Sequence, residues 1–597
     1  DANTFGLMSA GFANALMPSN LIMMIIGVTI GIVVGCMPGL SAAMGVALLL
    51  PLTFGMAPET GLIMLGGIYC GAIFGGSISA ILIHTPGTPA SAATALDGYE
   101  LTKQGKAGKA LGTACIASFF GGLLSCISLY FFAPMLAELA MKFGSPEYFW
   151  LALFGLTIIA GVTTGSMVKG LMSGAFGLIL STIGMDPMEG TERFMFGIDE
   201  LYNGINVTCA LIGLFSLSQV FILAEKAIKE RGSIVKFHDS VMLKFHELKQ
   251  IGPTVIRSWL IGNIIGILPG AGASIACFLG YNTAKQFSKK PEDFGRGSIE
   301  GVAGSEAANN AVTGGSLIPT LTLGIPGESV TAVLMGGLII QGLQPGPELF
   351  TKYAPMTYTF FAGFVIVQFF MLLIGLGGCR IFAHISKLSD AVLIPCIFVL
   401  CVVGSFAINN SFVDVVIMFI FGIMGYLMRK LGLNTAAVVL ALILGPIGER
   451  GLRRSLTLSG NDITILFSTP ICWVLITLCI LSSFSPLLMD WLKKGKQAIK
   501  GNKRNTPSYI SHAKTDPRHI CRSVLLCIEI ISPAIPEMRL SSETDEKPTT
   551  LRLLPFRMTS YGFPYHGYRS FAIAQDDVLP LSSPRQQILR WRSHEDA

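Results

Sequence analysis

The chain has 597 residues, 51% hydrophobic and only 13% charged, with a formal charge of +6 and a mean hydropathy of +0.63. Soluble domains carry about twice that charge fraction, so a water-soluble fold is excluded, and the modest positive balance gives nucleic-acid binding no support. The sequence is that of an all-α polytopic membrane protein, for which channel, transporter and intramembrane enzyme are the classes to separate.

No Asp, Glu, Lys or Arg occurs from Ala2 to Pro58, and Pro38-Gly39 falls inside that run, followed by Ser41. Pro lacks an N–H and clashes with the preceding turn, while Gly tolerates non-helical angles, so the helix breaks there. The next uncharged run, Thr60 to Leu96, contains a second break at Pro86-Gly87, flanked by His84, Thr85 and Thr88, and ends at Asp97 ahead of Lys103, Lys106 and Lys109. Apolar runs from Ala110 to Ala137, Tyr148 to Val168 and Gly170 to Met185 follow. They lead to an acidic loop with Asp186, Glu189, Glu192, Asp199 and Glu200 against Arg193. Leu201 to Ala224 then opens onto a basic segment with Lys226, Lys229, Arg231 and Lys236. The positive-inside rule places the basic loops in the cytoplasm and the acidic loop outside.

A third break, Pro269-Gly270, lies in the run from Ser258 to Ala284 together with Ser274, and a fourth, Pro326-Gly327, precedes the run from Ser329 to Pro347. Further uncharged runs are Tyr353 to Cys379, Ala391 to Val413, Leu431 to Gly448 and Ile463 to Met489. At roughly 20 residues per crossing, about ten to twelve transmembrane helices are expected, some broken or re-entrant. The thirteen Cys show no metal-ligand spacing, and Cys126, Cys209, Cys396 and Cys472 lie in apolar runs, where they read as small packing residues. The chain begins at Asp1, which reads as a trimmed or incomplete start, and no basic segment precedes the first apolar stretch as a cleavable signal peptide requires.

The membrane region repeats itself. Gly31-Ile-Val-Val-Gly35-Cys-Met-Pro38-Gly39 matches Gly262-Asn-Ile-Ile-Gly266-Ile-Leu-Pro269-Gly270 with identical Gly and Pro-Gly spacing. In the same order, Gly75-Gly76-Ser77 leading to Pro86-Gly87 matches Gly314-Gly315-Ser316 leading to Pro326-Gly327. The expected organisation is a first membrane half at 1–224, a cytoplasmic connecting loop at 225–252, a second half at 253–500, and a polar tail at 501–597 read as disordered or non-native. Whether the halves are inverted or parallel depends on the parity of crossings, which the breaks obscure.

Broken helices at matching places point to a transport site, because half-helix N-termini direct positive dipole ends at anions. Expected substrate-binding residues are therefore Gly39, Ser41, Thr85, Gly87, Gly270, Ser274, Asn310 and Gly327. If the stretch Glu306-Ala-Ala-Asn309-Asn310-Ala-Val-Thr313 is helical, Glu306, Asn310 and Thr313 share one face. Glu306, Asp97 and His84 are the candidates for ion coupling. The bland readings stand beside these: close-packing Gly and Pro, an interfacial helix cap for Glu306, a hydrogen-bonded structural His84, and a surface turn at Asp97. No catalytic residue, metal site or cofactor is expected.

These residues carry a family resemblance. Gly35-Cys-Met-Pro-Gly-Leu, Gly67-Ile-Tyr-Cys-Gly71, Ala93-Thr-Ala-Leu-Asp97-Gly98-Tyr99, Glu306-Ala-Ala-Asn-Asn310 and Leu323-Gly-Ile-Pro326-Gly327 closely resemble the large TctA-type subunit of tripartite tricarboxylate transporters over about Phe5 to Lys494. The resemblance implies a multi-pass permease of the bacterial inner membrane that works with a small four-helix membrane subunit and a periplasmic solute-binding protein. It also implies import of citrate or another small carboxylate by Na+ or H+ symport. One departure is evident: the family's Asn-Thr-Pro-Gly-Glu is replaced by His84-Thr85-Pro86-Gly87-Thr88, which bears on substrate and coupling ion. The lack of a P-loop pattern agrees with gradient drive. A passive channel would need repeated selectivity rings. An intramembrane enzyme would need a nucleophile–base pair, and no GxSxG or HExxH occurs.

Overall fold

The computed structural model describes residues 2–37, 40–162, 167–186, 188–226, 239–270, 272–385 and 390–482. The polar tail at 501–597 lies outside the described residues, as does Gly39. In chain order the first half contains α1 (Ala2–Ala15), α2 (Pro18–Cys36), α3 (Ala42–Leu49), α4 (Pro58–Ile83), α5 (Thr94–Lys103), α6 (Ala107–Ala140), α7 (Ser145–Val162), α8 (Met167–Ser181), α9 (Val207–Leu211) and α10 (Ser218–Lys226). A π-type segment, Ile212–Leu217, joins the last two. The second half contains α11 (Phe245–Ile267), α12 (Gly272–Phe287), α13 (Ile299–Leu323), α14 (Ser329–Ile340), α15 (Ala354–Ile385), α16 (Asp390–Asn409), α17 (Phe412–Leu431) and α18 (Thr435–Leu458). α11 begins inside the segment expected to connect the halves.

Seven of the described helices are long and apolar enough to cross a membrane, and five shorter apolar helices accompany them, in keeping with an all-α polytopic protein built partly from broken spans. Large apolar side chains such as Phe131, Met135, Leu373 and Ile420 face outward, the surface a bilayer covers. Cys126, Cys209 and Cys472 are buried as packing residues, whereas Cys396 is exposed on α16.

In lipid, helices associate through close packing and polar contacts rather than through water exclusion. The repeat's glycines serve that purpose. Gly27, Gly31 and Gly35 of α2 lie against the backbones of Met64, Ile68 and Ala72 of α4, so these two helices run parallel. Gly262 and Gly266 of α11 lie likewise against Ala308 and Gly315 of α13. Between them, α3 turns back antiparallel to α4, with Gly45 beside Ile68 and Gly61 beside Thr53. α2 and α3 thus form a re-entrant hairpin that turns between Met37 and Leu40, and α11 and α12 form its counterpart.

The direction of the two halves follows from contacts across them. As the chain passes from Tyr69 through Ala90 to Thr94, its partners on α13 step back from Ser316 through Asn309 to Ser305. α4 and its repeat mate α13 therefore run in opposite directions, and the halves are inverted.

The charged ends are organised as well. Asp239 accepts from the Gly108 and Lys109 N–H groups at 2.8 and 2.9 Å, capping α6, and Lys109 pairs with Glu247. The connecting segment therefore shares an end of the molecule with the Lys103–Lys109 cluster. Lys430 pairs with Glu225 at the end of α17. From there α18 carries the chain to the opposite end, where Arg453 binds Asp186 and Glu189 of the acidic loop. That loop holds a short antiparallel pairing of β1 (Gly184–Met185) with β2 (Glu192–Arg193).

The Asp186 carboxylate accepts from the Glu189 and Met188 N–H groups and from Arg453, which together hold it down to about 2. Because its folded value lies below the ordinary carboxylate range near 4, this anchor is fully present above about pH 4 and is lost as the pH falls towards 2. Limited proteolysis should find the acidic loop protected at pH 5–7 and opened by Asp186→Asn at neutral pH.

Candidate functional site

Each re-entrant tip rests on the second break of its own half. Gly87, whose N–H donates to Gly76 O at 3.1 Å, sits against the Gly35 carbonyl. Gly327 sits against the Gly266 carbonyl, the repeat mate of Gly35. In the second half the tip is tied down further: Gly270, at φ +83°, donates to Gly327 O at 2.6 Å, and the Ala273 N–H at the start of α12 donates to Glu328 Oε2 at 3.0 Å. Only glycine adopts that φ without strain. Glu328 also accepts from the Tyr69 hydroxyl of α4, which contacts Ser316 at 3.1 Å.

Among the described residues, the first half shows no such carboxylate at its tip. A cavity of about 530 Å³ opens beside its tip, lined by Leu40, Ser41, Ala43 and Met44 from the start of α3, Pro86 to Pro89 from the break after α4, Ser329 from the start of α14, and Gln219, Phe215 and Arg429. Ser41 caps α3 by accepting from Met44 N at 3.2 Å. The Thr88 hydroxyl is 2% exposed and has no hydrogen-bond partner. The Arg429 guanidinium donates to Gln219 Oε1 and Phe215 O. Arg429 lies beside the Lys430–Glu225 pair, so the cavity belongs to the end of the molecule where the basic segment begins.

Next to the break after α4 lies a buried polar cluster. Glu306, Asn309, Asn310, Thr313, Thr94, Ser118 and Ser305 are all 0% exposed. Glu306 accepts from Thr94 Oγ1 and, at 3.0 Å, from Ser118 Oγ. Asn310 donates to Ser118 Oγ at 2.7 Å and to Asn309 Oδ1 at 2.8 Å, and Asn309 donates to Ala90 O at 3.1 Å. The Asn310 Oδ1 atom has no partner. α13 is helical throughout this stretch, so Glu306 and Asn310 do share a face, and Glu306 lies well inside the helix, where no capping role applies.

Of the residues expected at the substrate site, the structure brings Ser41 and Gly87 to the cavity wall, pairs Gly270 with Gly327, and buries Asn310 in the polar cluster. Thr85 and Ser274 are exposed and line no part of the cavity. Of the ion-coupling candidates, Glu306 is central to the cluster. His84 is exposed in a left-handed conformation, φ 55°, and stacks on Tyr99 with ring centroids 4.6 Å apart. Asp97 is buried in α5, and its Oδ1 accepts from the Gly295, Gly297 and Ser298 N–H groups at 2.7, 2.9 and 3.0 Å. That pins the loop before α13. Asp97→Ala strands these donors, and at about 1–3 kcal/mol for a lost buried partner it should lower the melting temperature of the purified protein measurably. Sequence reasoning missed Arg429, Glu328 and Tyr69.

Inverted halves with helices broken at matched positions, a cavity with Arg429 on its wall at one break and an enclosed carboxylate at another define a polytopic membrane protein of the transporter class. Residues 21–440 match the model of the tripartite tricarboxylate transporter TctA family, and the chain belongs to that family. It is 39% identical over 465 residues, 78% of this chain and 92% of the relative, to an uncharacterized 52.8 kDa protein in the TAR-I ttuC' 3' region of Agrobacterium vitis. A second A. vitis protein, in the TAR-II ttuC' 3' region, is 36% identical over 228 residues, 38% of this chain and 94% of that protein. No solved structure matches the chain.

Proposed function

We propose that the chain is the permease subunit of a tripartite secondary transporter of the bacterial inner membrane. It imports a small carboxylate such as citrate by symport with Na+ or H+, receiving it from a periplasmic binding protein and working with a small four-helix membrane subunit. Family membership supports the tripartite organisation, and the observation that carries the reading is the cavity between the first re-entrant tip and the Gly87 loop. There, half-helix N-termini and hydroxyls meet at a place where an anion finds donors and positive dipole ends. Gly270 and Gly327 contribute as backbone that keeps the opposite tip closed.

Glu306 is the ion-coupling group in this reading. A buried carboxylate, an orphan amide oxygen and the surrounding hydroxyls offer oxygen acceptors to a hard cation or a proton, alongside the Asn309 and Asn310 amide donors. His84 and Asp97, at the margins of the same segment, are secondary candidates.

The test is reconstitution of the full chain with its membrane subunit and binding protein in liposomes, followed by uptake of labelled citrate with an inward Na+ gradient, an inward H+ gradient, or neither. Saturable uptake that needs the binding protein and one gradient is the expected result. Flux that neither saturates nor follows a gradient would identify a channel instead. Gly270→Leu, strained at its positive φ, should abolish uptake while the protein still inserts.

A further inference from the structure

The two re-entrant tips differ in one chemical respect. In the second half a carboxylate of the chain itself, Glu328, accepts a hydrogen bond at the N-terminus of α12 and is closed over by the Tyr69 hydroxyl. In the first half the residue after the matching Pro-Gly is Thr88, and the start of α3 faces the open cavity. We propose that this cavity is the seat of one substrate carboxylate, held by Arg429 and the Thr88 hydroxyl at the N-termini of α3 and α14. Glu328 fills the inverted counterpart, so each chain presents one anion seat rather than two. The proposal rests on the carboxylate-import reading and deepens it.

Three independent observations meet here. Thr88 Oγ1 is buried on the cavity wall without a partner, which in a membrane protein calls for one. Arg429 pairs with no carboxylate among the described residues and uses two acceptors, Gln219 Oε1 and Phe215 O, out of a guanidinium with five N–H donors. A guanidinium that lines the cavity and bonds only neutral oxygens has N–H donors left for an anion there. Third, α3 and α14 both begin at this wall, adding the positive ends of their dipoles to the same volume. The repeat supplies the pattern for what belongs there, since its other copy holds a carboxylate in the equivalent place. A planar, bidentate guanidinium favours a carboxylate over a spherical anion.

The test uses the full chain in the reconstituted system together with binding measured on the detergent-purified protein. Arg429→Gln is expected to raise KM for citrate about 30-fold, the size of a lost charge-assisted hydrogen bond, and Arg429→Lys to recover part of it. Thr88→Val removes the hydroxyl at nearly constant size and should raise KM for citrate by about 5- to 10-fold, the size of one lost hydrogen bond, while Thr88→Ser keeps the hydroxyl and stays close to the unaltered protein. An unchanged KM in Arg429→Gln, or Thr88→Val transporting as well as Thr88→Ser, overturns the seat. Melting temperatures of the purified variants separate misfolding from lost binding. If the unaltered protein takes up no citrate under any gradient, the transport reading fails on its own terms, and thermal stabilisation by citrate, succinate and acetate against neutral glycerol decides the seat separately. Stabilisation by the anions that disappears in Arg429→Gln upholds it, and no stabilisation by any of them overturns it.

Discussion

Glu306→Gln is expected to reduce gradient-driven uptake by roughly two orders of magnitude while the protein still inserts and folds, because the amide keeps the shape of the carboxylate and one of its acceptor oxygens without its charge. The Gln side chain can accept from one of the two hydroxyls that hold Glu306 now, Thr94 Oγ1 or Ser118 Oγ, and its amide N–H2 donates to the other once that hydroxyl turns. Glu306→Ala goes further: it removes the carboxylate acceptor of both hydroxyls in a site that is 0% exposed and leaves Thr94 only its Ser305 contact and Ser118 only its bond from Asn310, at about 1–3 kcal/mol. Uptake and melting temperature should therefore separate in the first variant and fall together in the second. Wild-type uptake by Glu306→Gln would make the cluster purely structural and move the search for the coupling ion elsewhere.

Gly35→Leu should have a large effect on folding. A Cβ at this position would lie 2.8 Å from the Ala72 Cα, and the obstruction is helix backbone, which cannot swing aside as a side chain can. The parallel packing of α2 on α4 must then open, and the Gly87 loop resting on the Gly35 carbonyl loses its support. Overpacking a well-filled interior costs about 1–3 kcal/mol even where neighbours can shift, so here the expected outcome is loss of monodisperse protein on gel filtration. Gly55→Leu serves as the control, since nothing lies within 4 Å of the position, and it should behave as wild type.

Much of this architecture was legible in the residue pattern. The repeated Gly, Gly, Pro-Gly spacing marked both re-entrant tips because its physical cause is local: close backbone approach needs glycine, and a break needs proline. The shared face of Glu306 and Asn310 followed from helical periodicity alone. What could not be read depends on distance in sequence. Tyr69 and Glu328 meet across 259 positions, and Thr94 and Glu306 across 212, with no local signal that either pair belongs together. Arg429 closes an apolar run, where a basic residue is the ordinary signature of the cytoplasmic boundary. Only the fold shows it turned toward the cavity. The orientation of the halves was hidden because a re-entrant hairpin such as α2–α3 resembles two crossings in hydropathy and is none in topology.

The opposed course of α4 and α13 has a consequence for the transport cycle. The same protein holds two versions of one fold at once, a first half with its tip open beside the basic end and a second half with its tip sealed by Glu328. If the two exchange conformations, the sealed geometry passes to the Gly87 loop and the open geometry to the Gly327 loop, which faces the other side. On the proposed transport reading, the second half then carries the geometry of the opposite-facing state, and a crosslink that freezes either loop should trap the molecule facing one way.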